Sequence, residues 1–339
     1  METLSELFRA HFGHAPTRIE ALSGAGSNRR YYRLHGENQT AIGVVGTSQD
    51  ENRAFVYLTQ HFHAQGFAMP ELYAVSHDAM RYLQSDLGTR SLYDALSTAR
   101  ANDFAYGATE EALLERTLRA LAHLQVEGAK GIEADRLLTP RRMDARAAMF
   151  DLNYFKYMFL RAQDMPLDEL KLDDDMWRLA CDLCGTPCDT FLYRDFQARN
   201  VMLDAAEKPW FIDYQGGRLG PLHYDVASFL YQASAHYPDA LRARLVRAYV
   251  DELATLTEVS LAEFEQGLQR FVLLRTLQVL GAYGLRGIVE RKTYFLNSIP
   301  AALDNLRALL EQDVCRPYPY LTEILQRLTE IDINYGIQG

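Results

Sequence analysis

The chain has 339 residues, of which 48% are apolar and 24% charged, and its formal net charge is −10. That length and apolar content suffice for a large core divided between two lobes or domains, while the acidic balance, with no run of Lys and Arg, argues against broad binding to a nucleic-acid backbone. The opening METLSELFRAHFG reads as an amphipathic helix with neither a basic leader nor an apolar signal core, and no apolar run approaches membrane-spanning length, so the protein is expected to be cytoplasmic and to engage neither nucleic acid nor membrane.

In chain order, residues 31–34 and 40–45 are β-rich runs joined by the turn-forming His35-Gly36-Glu37-Asn38, and they read as a hairpin. Asp50 is placed to cap a helix whose Phe55, Leu58 and Phe62 share one apolar stripe, and residues 81–83 form a short strand leading to Ser85 and Asp86. After about residue 90 the pattern is mainly helical, apart from residues 191–213. Thr109 caps a helix with Glu110 and Glu111 in its first turn and Leu114, Leu118 and Leu121 recurring along it. Further helices are expected at about 141–163, 174–184, 223–234, 239–256, 261–290, 300–312 and 319–330. The expected fold class is therefore α+β, with a small mixed N-terminal lobe over residues 1–85 and a mainly helical C-terminal lobe over residues 86–339.

The cluster Cys181-x-x-Cys184-x-x-x-Cys188 raises the question of zinc. No second Cys-x-x-Cys completes a tetrahedral set, Cys315 is distant, and Cys181 and Cys184 fall at helical spacing with Trp177 and Ala180. Reduced, partly buried thiols are expected.

Residues 191–231 concentrate the chemistry. Asp195 is followed five residues later by Asn200, and a second apolar run, 209–212, delivers Asp213. In a loop between two short strands, Asp195 would face an attacking hydroxyl while Asn200 and Asp213 offered hard oxygen ligands to magnesium. Each acid or amide alone reads equally as a turn former; their order and spacing carry the inference.

Arg194-Asp195-Phe196-x-x-x-Asn200 resembles the kinase catalytic loop, and Asp213-Tyr214-Gln215 stands where a kinase carries its metal-binding Asp-Phe-Gly. Gly220-Pro221-x-x-Tyr224-Asp225-x-x-Ser228-Phe229 narrows the resemblance to the aminoglycoside phosphotransferase and choline kinase superfamily. Together with Arg199 and Gln215, these blocks are most similar to the bacterial anomeric kinases of N-acetylmuramate and N-acetylglucosamine. The resemblance implies a bilobal protein-kinase-like fold, ATP and magnesium as cofactors, Asp195 as catalytic base, Asn200 and Asp213 as metal ligands, and Asp86-Leu87-Gly88 as an interlobe hinge. It also implies that Asp225, at the start of a helix, braces the catalytic loop, and that the partner is a small amino sugar phosphorylated at its anomeric hydroxyl in cell-wall sugar recycling. Arg194 and Arg199 flank the base and either contact substrate or hold the loop, with Arg194 leaning towards the structural role.

Upstream, residues 23–28 lie where such a fold places its phosphate-covering loop. Ser23, Gly24, Gly26 and Ser27 would let amides and hydroxyls approach the anion. No lysine precedes Lys130, so the third-strand candidate, residues 41–45, lacks the usual phosphate-clamping Lys, and Glu51 has no such Lys to pair with. Arg29 or Arg30 is the candidate replacement, because alternate strand positions allow one of them to point inward. A second departure is Tyr193 where a kinase catalytic loop carries His.

The aromatic residues Phe150, Tyr154, Phe155 and Tyr157 within 141–161 occupy the place where the resemblance puts an acceptor pocket, although helical spacing also explains them as core. Two alternatives stand beside the sugar kinase. One is a kinase of an aminoglycoside or amino alcohol, which a carboxylate-lined acceptor pocket would favour; the other is a nonenzymatic nucleotide-binding sensor, motivated by the missing Lys and by Tyr193.

Overall fold

A computed structural model describes residues 3–22, 29–232 and 235–333 of the chain. Thr3 and Glu6 cap each other reciprocally and start helix α1 (Leu4–Phe12), which stops at Gly13, where φ of +82° suits glycine. Strands β1 (Arg18–Leu22), β2 (Arg30–His35), β3 (Thr40–Val45), β4 (Leu72–Val75) and β5 (Arg81–Ser85) form one antiparallel sheet in the order β1-β2-β3-β5-β4. The expected hairpin is the β2–β3 pair.

Alternation along β3 gives the sheet two apolar faces. Ala41 joins Leu34 and Leu83 in a small cluster against Leu4, Leu7 and Phe8 of α1. Ile42 and Val44 belong instead to the main core, with Phe55, Leu58 and Phe62 of helix α2 (Gln49–Ala64). The cap of α2 is Ser48, whose hydroxyl accepts from the Glu51 amide at 3.3 Å, rather than Asp50, which falls in the first turn.

The remainder is mainly helical, as expected for this fold class. Short helices α3 (Leu92–Ala95) and α4 (Ser97–Ala101) precede α5 (Ala108–Val126), which begins at Gly107 with Glu110 accepting its amide, so Thr109 lies inside the first turn. Helices α6 (Ala145–Met158) and α7 (Glu169–Cys184) then lead into two small ribbons. One pairs β6 (Thr190–Leu192) with β9 (Arg218–Gly220), and the other pairs β7 (Val201–Leu203) with β8 (Pro209–Phe211). The rest comprises α8 (His223–Leu230), α9 (Asp239–Leu253), α10 (Leu261–Tyr283), α11 (Thr293–Leu296), α12 (Ile299–Leu310) and α13 (Pro319–Glu330). All four cysteines are free thiols; Cys181 and Cys184 are exposed, Cys188 is half-buried and Cys315 is buried.

Helix α10 is the apolar axis of the helical part and packs against α6, α8 and α12. Continued by a wider π-helical turn, Gly284–Val289, it is long and apolar enough to cross a membrane by length and composition, contrary to the reading of the bare sequence. In the fold, 56% of an apolar 18-residue window within it is buried, as in a core helix. Its contact with α6 is close at Gly281, where an added Cβ would stand 2.8 Å from the Phe155 amide nitrogen and the Tyr154 carbonyl carbon. Helix propensity alone would make Gly281→Ala stabilising by about 1 kcal/mol, but overpacking against rigid backbone costs about 1–3 kcal/mol. Gly281→Ala is therefore expected to lower the melting temperature, and a rise measured by thermal unfolding would contradict the close α6–α10 contact.

Candidate active site

Helix α8 delivers Asp225, completely buried, beneath the loop that follows β6. One carboxylate oxygen accepts from the Tyr193 amide at 2.7 Å and from Gln125 Nε2 at 2.8 Å, and the other accepts from the Arg194 amide at 2.9 Å. Burial pushes this carboxyl up to about 7, opposed by the three N–H donors. Arg194 takes a left-handed backbone, φ +79°, uncommon for a residue with a side chain. Its guanidinium is gripped at 2.8 and 3.3 Å by the two oxygens of Asp151, a buried acid of α6. Arg194 thus faces inward, and Asp195, next in the chain, is exposed.

Asn200 joins this loop to the one that follows β8. Its side-chain amide donates to the Asp195 carbonyl at 2.8 Å, and its own carbonyl accepts from the Ile212 amide at 3.0 Å. The Tyr193 hydroxyl, deep in the core, donates to the Ile212 carbonyl. Asp213 follows with φ +68°, and Gln215 Nε2 donates to its carboxylate at 2.9 Å. Burial raises Asp213 to about 6, with the charges of Asp195 and Glu51 pushing the same way and Arg29 and Gln215 opposing. A third of its side chain, 34%, stays open.

Arg29 precedes β2 and is only 3% exposed in its side chain. It lies 3.0 Å from Glu51 of α2 and 3.9 Å from Asp213. Arg30 is exposed on the other side of the strand. Ser23, Gly24, Gly26 and Ser27 lie outside the described residues. Arg29, Asn200 and Asp213 line one cavity of about 530 Å³, whose walls include Ile42, Tyr82 and Met202. Behind it Phe55 stacks between Tyr82 and Tyr214, at 4.8 and 5.0 Å between ring centroids, and the Tyr214 hydroxyl meets Thr59 of α2 at 2.6 Å. Arg33 closes the side near the expected hinge, binding both oxygens of Asp86 at 2.6 and 3.1 Å and the Gly88 carbonyl at 3.0 Å. Arg199 lies over the Tyr93 ring at 3.8 Å and within 5.6 Å of the Tyr294 ring.

Asp195 lines a second cavity, about 160 Å³, with Ser228, Arg275, Tyr283, Tyr294 and Asn305. Gln197 lines both cavities. Asp195 is the only carboxylate among the described residues of the smaller one. Residues 141–161 do not build it: Phe155 is core, while Phe150 and Tyr157, seven residues apart on one helix face, are 69% and 53% exposed. Its aromatic walls come instead from Tyr231 after α8, Tyr283 of α10, and Tyr294 and Phe295 of α11, none of which the sequence reading assigned to an acceptor. Arg33 was legible, since Arg29, Tyr31 and Arg33 alternate at the strand period and all reach the cleft. Gln125, Asp151 and Arg275 carried no local signal.

The model of the phosphotransferase enzyme family matches residues 18–260. An N-acetylmuramate/N-acetylglucosamine kinase from Pseudomonas aeruginosa is 26% identical over 310 residues, covering 88% of this chain and 86% of that protein. One of the same name from Pseudomonas putida is 22% identical, covering 97% and 91%. Among solved structures, an ethanolamine kinase from Plasmodium vivax superposes with a TM-score of 0.59 at 11% identity, covering 88% of this chain and 83% of that one.

The shift at Asp213 has a measurable consequence. Its folded value, about 6, stands above the value of about 3.9 expected when unfolded, so the ionised form is less favourable in the folded protein. The penalty is absent below pH 4, grows between 4 and 6, and is complete above 6. Asp213→Asn is expected to stabilise the ligand-free protein by about 1 kcal/mol at pH 8, an amount discounted for the open third of the side chain. The gain should shrink as pH falls towards 5, as read by urea unfolding in the presence of a chelator; equal stability at pH 8 would contradict the assignment.

Proposed function

This chain belongs to the phosphotransferase enzyme family and is a small-molecule kinase, and we propose that it transfers the terminal phosphoryl group of ATP to the anomeric hydroxyl of an N-acetylated amino sugar, N-acetylmuramate or N-acetylglucosamine, of the kind released from cell walls. The observation that carries this reading is the position of Asp195 in a small cavity that shares Gln197 with the larger cleft containing Arg29, Asn200 and Asp213. On this reading the nucleotide part comprises residues 1–85 and the catalytic and acceptor part residues 86–339, meeting at Asp86.

The residues of the larger cleft suit magnesium and ATP. A carboxylate and an amide oxygen form a hard donor set, and the Asn200 side-chain oxygen has no partner among the described residues. Gln215 Oε1, buried in the same cleft, is likewise unpartnered. Asn200 and Asp213 would hold the metal, which when bound supplies positive charge against the phosphates. Arg29 takes the place of the missing lysine: Glu51 fixes one end of its guanidinium, and the other end lies 3.9 Å from Asp213. Small residues 23–27 would cover the phosphates. Asp195 accepts a hydrogen bond from the acceptor hydroxyl, aims its oxygen at the phosphoryl group and takes its proton late, because an anomeric hydroxyl is already more acidic than an ordinary alcohol. Arg194 and Asp225 hold the loop that positions Asp195, and Arg199 keeps the wall between the two cavities through Tyr93 and Tyr294.

The acceptor cavity favours a sugar over an amino alcohol or aminoglycoside. A cationic acceptor calls for several carboxylates, whereas here one carboxylate stands with an arginine, hydroxyls and aromatic walls. The assembled Asp195, Asn200 and Asp213 argue against a sensor without chemistry.

Two sets of variants test this. With ATP, magnesium and each sugar, Asp195→Asn should bind nucleotide normally and lose about 10²–10⁴ in kcat, followed by ADP release. Turnover near that of wild type would remove Asp195 from the mechanism. Arg29→Ala should raise KM for ATP and lower kcat, Arg29→Lys should restore activity only partly, and Arg30→Ala should do neither. If wild type consumes ATP with amino alcohols and not with either sugar, the amino-sugar reading fails.

A further inference from the structure

Arg275, on α10, lines the acceptor cavity with Asp195. Its position is fixed by neutral groups: Nη1 donates to the Tyr224 hydroxyl at 2.8 Å and to Gln278 Oε1 at 2.7 Å, and Nη2 donates to Ser228 Oγ at 2.9 Å. No carboxylate of the described residues lies within ion-pair distance of it. Asp225, the buried acid that feels its charge, has both oxygens committed to Tyr193, Arg194 and Gln125. Nε, shielded from water, has no partner at all, and Nη2 uses one of its two hydrogens. A guanidinium can donate five hydrogen bonds, and the second hydrogen of Nη2 is left to donate to a ligand oxygen.

A purely structural staple between α10 and α8 would not need a permanent cation, since neutral donors could make the same three hydrogen bonds. The arrangement makes chemical sense if an anion completes it. Among the acceptors considered, N-acetylmuramate carries a carboxylate on its lactyl ether and N-acetylglucosamine does not.

We propose that the acceptor cavity contains an anion subsite built on Arg275 and that the preferred acceptor is an amino sugar bearing a carboxylate; this rests on the amino-sugar reading above. Arg275 donates to the carboxylate through the remaining hydrogen of Nη2 while Asp195 engages the hydroxyl that receives the phosphoryl group. The same guanidinium repels cationic acceptors, so the subsite selects for one charge and against the other.

The test compares N-acetylmuramate with its neutral methyl ester, which changes the charge and little of the shape. Wild-type protein should use the acid at least tenfold better than the ester in kcat/KM, mainly through KM. In Arg275→Gln the acid-to-ester ratio should fall towards one, and in Arg275→Lys it should be intermediate, because an ammonium keeps the charge and loses the fork. A staple without substrate contact would lower both substrates together and leave the ratio unchanged, which overturns the proposal. Equal use of acid and ester by wild type overturns it without any variant, so a variant that fails to fold does not protect it. Turnover with no amino sugar at all overturns the amino-sugar reading and the subsite together, an outcome distinct from turnover without acid-to-ester discrimination.

Discussion

The buried carboxylate of Asp225 sets the geometry on which the rest of the site depends. An ionised acid in the core is costly, and this one is compensated by three N–H donors, two of them from the backbone of the loop after β6. Those two bonds hold the amides of Tyr193 and Arg194 in place at the point where Arg194 adopts its left-handed conformation. Without them the loop has no reason to keep a strained backbone. With them, Arg194 turns in towards Asp151 and Asp195 turns out. The inward guanidinium and the outward carboxylate are therefore two results of one constraint.

That constraint propagates to the second loop through Tyr193. A kinase-like catalytic loop normally carries His at this position, and the substitution looked in the sequence like a sign of lost function. The phenol reaches the Ile212 carbonyl and so ties the residue before Asp213 to the residue before Arg194. Asn200 adds a second tie, from the Asp195 carbonyl to the Ile212 amide. A comparable exchange occurs in the sheet part. Arg29 enters from the start of β2 rather than from β3, yet its two terminal nitrogens lie 3.0 Å from Glu51 and 3.9 Å from Asp213. A lysine has one nitrogen to divide between such partners, whereas a guanidinium has two fixed apart in a plane.

What the sequence made legible follows from how local each contact is. Asp195, Asn200 and Asp213 lie within nineteen residues of one another, close enough for one local pattern to carry all three. The helices were legible because their apolar stripes repeat at the helical period, although Ser48 and Gly107 displaced the expected caps Asp50 and Thr109 by two residues each. The partners that hold the site are another matter. Arg33 binds Asp86 across 53 positions, Arg194 binds Asp151 across 43, and Asp225 binds Gln125 across 100. No pattern within any one element announces such pairs, because each partner alone is an ordinary polar residue on a helix or strand. The smaller cavity was not legible for the same reason: aromatic residues at 150–157 were visible, but whether they face the core, the solvent or a ligand is decided by how α6 packs on α10.

The family match also divides the residues that line the two cavities. The family match ends at residue 260, and α10 begins at Leu261. Asp195, Asn200, Asp213 and Asp225 all fall inside the match, so membership of the family speaks to phosphoryl transfer. Arg275, Tyr283, Tyr294 and Asn305 all fall beyond it, so family membership is silent on what the acceptor is. The Pseudomonas putida relative is aligned over 97% of the chain and so extends across this region, but at 22% identity few individual side chains are shared. Acceptor choice must therefore be argued from the cavity itself. In the smaller cavity Asp195 brings the one carboxylate and Arg275 the one guanidinium, so on the proposal above the guanidinium is the group that would answer an anionic acceptor.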